Sequence, residues 1–92
     1  MTEMDDRRLE TRLRKALNAI IEERNYQRKR WSRDDDRQQT PVEWTSILIS
    51  YLGKAASETQ RSREGDFRQA SFRKRIVQVG AICLAALEAL DE

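Results

Sequence analysis

The stretch RIVQVGAICLAALEAL, Arg75 to Leu90, decides how this chain folds. Ile76, Val77, Val79, Ile82, Cys83, Leu84, Ala85, Leu87 and Leu90 leave almost no polar side, so the segment reads as a helix enclosed by neighbours all round. Two other helices from one short chain cannot surround it, because a three-helix hairpin leaves part of every helix wet. The expectation is therefore an all-α helical bundle of three main helices per chain, completed by a second subunit.

Working outward, "SREGDF" just before this segment carries Gly65 and charges and reads as a connector over about 62–66, with the third helix spanning about 67–90. Upstream, Trp44, Ile47, Leu48, Tyr51, Leu52 and Ala55 recur at helical spacing and define a second helix over about 41–61. Its start is written locally: Thr40 is an N-cap, Pro41 suits the first helical position, and Glu43 stands where a capping box needs its carboxylate. Gly53 and Ala56 are small enough for another backbone to approach. Leu9, Leu13, Ala16, Leu17, Ile20 and Ile21 form one stripe of a first, amphipathic helix over about 5–30, and the polar run 31–40 separates it from the second. The chain is thus one helical domain, 1–92, with no internal repeat and no strand signal.

The whole chain has 92 residues, 37% charged and 38% apolar, a lean supply for a monomer closing its own core. A homo-oligomer, dimer or tetramer, is the natural remedy. Eighteen basic against 16 acidic side chains leave a formal charge of +2, too little to make nucleic acid the default partner. The excess is local: Arg61, Arg63, Arg68, Arg73, Lys74 and Arg75 face only Glu64 and Asp66 between residues 60 and 75. The charged N-terminus lacks the apolar core of a signal peptide, and no apolar run approaches the roughly 18 residues of a membrane span, so a cytoplasmic protein without membrane contact is expected.

Histidine is absent, which removes imidazole metal sites and histidine triads. The lone cysteine, Cys83, lies in the apolar run and is expected to pack as a small hydrophobe. Asp34, Asp35 and Asp36 have no calcium-loop pattern around them and read as a solvated loop neutralised by arginines. Arg28, Lys29 and Arg30 beside Trp31 suit a helix C-terminus, where cations are favoured and the indole anchors; the other reading is a phosphate grip with a stacking ring. Arg75 precedes the apolar run by one residue and is expected at the bundle's mouth, where a guanidinium seeks an anion.

Three segments in this order, ERNYQRKRW (Glu23–Trp31), PVEWTSILISYLGKAA (Pro41–Ala56) and RIVQVGAICLAALEALD (Arg75–Asp91), resemble the MazG-like all-alpha nucleotide pyrophosphohydrolase superfamily, especially its short phage and mobile-element members. The match spans roughly Ile20 to Asp91 and includes Gln27, Trp31, Trp44, Ile47, Leu48, Gly53, Gln78, Val79, Ala81, Glu88, Leu90 and Asp91. The resemblance implies a dimeric or tetrameric helical bundle. It also implies carboxylates in an E-E-x-x-E and a later E-x-x-D segment that hold magnesium against a nucleoside triphosphate, which is cut to the monophosphate and pyrophosphate.

Here the corresponding positions hold Ser50, Tyr51 and Lys54, then Arg75 and Gln78, so all five carboxylates are missing. Magnesium requires oxygen ligands, and two cations at a vacated site would repel it by about 4 kcal/mol per unit pair at 4 Å and an effective dielectric of 20. No metal, no other cofactor and no catalytic residue is expected from this edge. Lys54, Arg75 and Gln78, with Trp31, could instead hold a nucleotide or phosphate ligand without metal, or the edge could simply be filled, with Tyr51 packed inward. The leading expectation is an accessory or regulatory oligomer working through protein contacts, with a degenerate site. The alternatives are a metal-free nucleotide binder and a hydrolase with a rearranged magnesium site using Glu22, Glu23, Asp34 and Glu58.

Overall fold

Thr40 and Glu43 set the second helix in place by a reciprocal exchange: the Glu43 N–H donates to Thr40 Oγ1 at 3.2 Å, and the Thr40 N–H donates to Glu43 Oε1 at 3.3 Å. Two amide donors that a helix start leaves open are satisfied in this way. The computed structural model describes residues 3–30, 39–63 and 69–91, which form three α-helices: α1 (Glu3–Arg30), α2 (Pro41–Arg63) and α3 (Gln69–Leu90). Each boundary falls within two residues of the reading from periodicity and punctuation. No strand occurs among the described residues, and none of these helices is long and apolar enough to cross a membrane.

The apolar α3 is the central element, with α1 and α2 each packed against it far more than on each other. Its seam with α2 is the core: Trp44 closes over Ile82, Ala85 and Ala86, with Ile47, Leu48, Tyr51 and Ala89 around them. The alanines on α3 leave room for the indole, and Ile82 is wholly buried. On the other side, α1 comes close because Gly80 has no side chain; a Cβ there would lie 2.9 Å from Ile20 Cδ1 and 3.1 Å from Ile20 Cγ1. The small residue that admits a neighbour is therefore Gly80. Gly53, expected in that role, has nothing within 4 Å of its Cβ position.

Packing is open rather than closed. The radius of gyration is 15.7 Å, where a compact chain of this length gives about 12 Å, and the principal extents are 44 × 40 × 22 Å. At 1.5 Å per residue α1 alone is about 42 Å long, and its contacts with α3 lie in its C-terminal half, from Ile20 to Arg28. Residues 5–18 are exposed throughout, so Leu9, Leu13 and Leu17 stand in solvent although their spacing marks a packing stripe. Leu52, assigned by spacing to the packed face of α2, is also exposed. The expectation that α3 is enclosed on all sides does not hold within one chain: Ile76, Cys83, Leu87 and Leu90 are exposed. Cys83 is correspondingly not a core residue; α1 and α2 cover two faces of α3, and the cysteine lies on the third.

Candidate functional site

The edge formed by Ser50, Tyr51 and Lys54 on α2 results from α2's register against α3. Tyr51 packs beside the core cluster, so Lys54, three residues later, emerges next to its ring. The Lys54 ammonium sits over that ring, 4.3 Å from its centroid, a cation–π contact within one helix. Ser50 is exposed. On α3, Arg75 is half-buried and its Nη1 donates to Gln78 Oε1 at 3.2 Å, a bond between residues one turn apart. The positively charged groups of both edges are thus engaged by their own helices, Lys54 by a ring and Arg75 by an amide. Trp31 lies outside the described residues, as do Asp34, Asp35 and Asp36.

A second polar cluster lies where α1 crosses α3, and it is the better built of the two. Arg24 is buried, its side chain 6% exposed, and it reaches Glu88 with both ends of its fork: Nε to Oε1 at 3.2 Å and Nη2 to Oε2 at 3.4 Å. Arg28, one turn further along α1, donates from Nη2 to Glu88 Oε2 at 2.7 Å and is half-exposed. Both arginines therefore hold one carboxylate whose side chain is 45% exposed. Partial burial by itself raises the Glu88 carboxyl; the hydrogen bonds from Arg24 and then Arg28, with their positive charge, outweigh it and hold the group below the ordinary carboxylate range.

Gln27, also buried, completes the α1 side of this junction. Its Nε2 donates to Glu23 Oε2 at 3.3 Å and, more weakly, to the Gln78 carbonyl at 3.5 Å. Among the described residues nothing donates to Gln27 Oε1. Arg24, Gln27 and Glu88 form a junction that orients one helix on another. Arg24 was not singled out by sequence reasoning; its signal is its place one turn after Ile20 on the stripe that faces α3, where a guanidinium extends an apolar face.

Of the four residues weighed for a rearranged metal site, Asp34 lies outside the described residues and the other three are placed as follows. Glu23 is tied to Gln27, Glu22 is exposed on α1, and Glu58 is buried on α2. Among the described residues no three acidic or thiol groups come together where they could hold a metal ion. No protein-family model matches the chain, and no curated protein and no solved structure matches it either.

Proposed function

We propose that this chain is a non-catalytic, MazG-like helical protein that acts through protein contacts, as an oligomeric accessory or regulatory subunit. The observation that carries this reading is the state of the two edges where hydrolytic relatives would keep metal-binding carboxylates. Lys54 lies on Tyr51 and Arg75 is bonded to Gln78, so four of the five vacated positions are engaged within their own helices, and Ser50 is exposed. A magnesium ion brought there meets a lysine and an arginine in place of oxygen ligands, which removes both the coordination and the charge balance that phosphoryl chemistry needs. What the chain offers in place of chemistry is apolar surface: Leu9, Leu13, Leu17 and Ile21 on α1 and Ile76, Leu87 and Leu90 on α3 are all at least 44% exposed. Contiguous exposed apolar side chains on a small protein mark a contact surface.

Pyrophosphate release from a panel of nucleoside triphosphates, with magnesium or manganese and protein at high micromolar concentration, tests the reading. No release is expected; steady turnover that depends on the metal and on Glu22, Glu23 or Glu58 overturns it. Titration calorimetry with the same nucleotides separates the metal-free binder. Heat that survives chelation and vanishes in the Lys54→Glu, Arg75→Glu double variant would move the reading to ligand binding.

A further inference from the structure

The outer face of α3, away from its contacts with α1 and α2, carries the exposed Ile76, Cys83, Leu87 and Leu90, with Val79 half-buried among them. Ile76, Leu87 and Leu90 are 44%, 54% and 66% exposed, and Cys83 is exposed with them. Along the helix these five positions are symmetric about Cys83: Val79 and Leu87 lie one turn to either side, and Ile76 and Leu90 two turns. We infer that this face binds a second copy of the chain, α3 against α3 and antiparallel, with the two-fold axis passing at Cys83. The inference rests on the reading above that the protein works as an oligomer, and it names the surface.

A two-fold axis demands a self-complementary surface, in which a residue on the axis meets its own copy and every other residue has a partner at equal distance on the far side. The α3 face meets that demand. Cys83 faces Cys83 of the other copy, Val79 faces Leu87, and Ile76 faces Leu90, so each layer is apolar. The small cysteine at the centre lets the helices approach where they cross.

Charge agrees with the same arrangement. Arg73 and Asp91 are both exposed and lie at opposite ends of α3 on the same edge of this face. Antiparallel pairing sets Arg73 of each copy beside Asp91 of the other, so opposite signs meet at both ends; a parallel pairing leaves Arg73 and Asp91 at opposite ends, where neither can meet the other.

Sedimentation equilibrium and thiol cross-linking of the full chain test the inference. The native protein is expected to sediment as a dimer at micromolar concentration, and a short bis-maleimide, adding one thiol across each of its double bonds, is expected to convert it to a covalent dimer; Cys83→Ser abolishes the cross-link and leaves the dimer. Leu87→Glu is expected to weaken dimerisation roughly a hundredfold, because both copies then bury a charge. Arg73→Asp is expected to weaken it several-fold, with recovery when Asp91→Arg is added to the same chain. Circular dichroism confirms that these variants, all at exposed positions, keep their helices. A monomeric native protein, or a dimer that neither cross-links through Cys83 nor responds to Leu87→Glu, overturns the inference. Metal-dependent pyrophosphate release would overturn the functional reading alone, and a dimer insensitive to Cys83 and Leu87 would overturn the inference alone, so the two can fail separately.

Discussion

Leu13 and Ile20 lie two turns apart on one stripe of α1, and their surroundings could hardly differ more. Ile20 is wedged against Gly80 of α3, and the turns beyond it seat Arg24 and Gln27 in the same junction. Leu13, 58% exposed, lies in the stretch of α1, residues 5–18, that is exposed throughout. The two halves have the same local helix signals, so what separates them is contact alone. An isolated helix of about a dozen residues is marginal in water, and the N-terminal half of α1 draws its order from continuity with the anchored half. Amphipathic spacing thus states which side of a helix wants cover; it does not state how much cover the chain itself provides.

The largest effect expected from this contrast comes from emptying the seam. Ile82→Ala removes a fully buried side chain from beneath Trp44 and should cost about 3 to 4 kcal/mol in urea unfolding. Leu13→Ala on the exposed half should change stability by less than about 0.5 kcal/mol, since it opens no cavity. A Leu13→Ala cost above 1 kcal/mol that grows with protein concentration would break the comparison, by showing that an associated copy covers the arm.

Next in size is the junction. Arg24→Ala removes a buried guanidinium and leaves Glu88 with only the half-exposed Arg28, for an expected loss of about 2 kcal/mol; the carboxylate's access to water keeps this below the figure for a fully buried pair. Arg28→Ala should cost less than about 1 kcal/mol, although its bond to Glu88 is the shorter, because solvent screens a half-exposed pair. Equal losses for the two would mean that length, and not burial, sets the value of these contacts.

Gly80→Ala sharpens the same point at a single atom. Alanine normally improves a helix interior by up to about 1 kcal/mol. Here the new methyl meets Ile20 at 2.9 Å, and Ile20 is held between α1 and α3, so the substitution should be net destabilising by about 1 kcal/mol. Adding Ile20→Val removes the clashing Cδ1 and should make Gly80→Ala neutral or favourable in thermal unfolding.

The sequence conveyed the elements well and their neighbours unevenly. Helix limits were legible because they are local: the Thr40–Glu43 box, Pro41 and the apolar period all act within a turn or two. The packed side of α2 was legible in part, since Trp44, Ile47, Leu48, Tyr51 and Ala55 share one helical spacing and are buried or half-buried; that this side meets α3 was not. Cys83 and Leu52 were misplaced because a period cannot rank the faces of a helix apolar nearly all round, and only the positions of α1 and α2 decide which face stays open. Gly53 and Gly80 look alike in the chain; Ile20, some sixty residues away, distinguishes them. At the candidate site, the residue types at Ser50, Tyr51, Lys54, Arg75 and Gln78 were legible, and none of the five is a carboxylate. That Lys54 would rest on Tyr51 and Arg75 on Gln78 depends on rotamers that residue types alone do not fix.

The smallest effect is the most diagnostic of the junction's chemistry. The Glu88 carboxyl titrates below its ordinary value of 4.5 in the folded chain, because Arg24 and Arg28 favour its charged form more than burial disfavours it. A carboxylate with a depressed folded-state pKa binds fewer protons folded than unfolded, so its stabilisation is full above the unfolded value and fades as pH falls through the folded one. Glu88→Gln should therefore cost about 1 kcal/mol or less at neutral pH, where screening of the half-exposed group limits the gain. The difference from the parent chain should stay flat well above the ordinary value of 4.5 and shrink as pH falls below it through the folded-state value. Unfolding midpoints measured across that range decide it: a difference that persists undiminished at low pH would assign Glu88's contribution to packing against α1 and not to its charge.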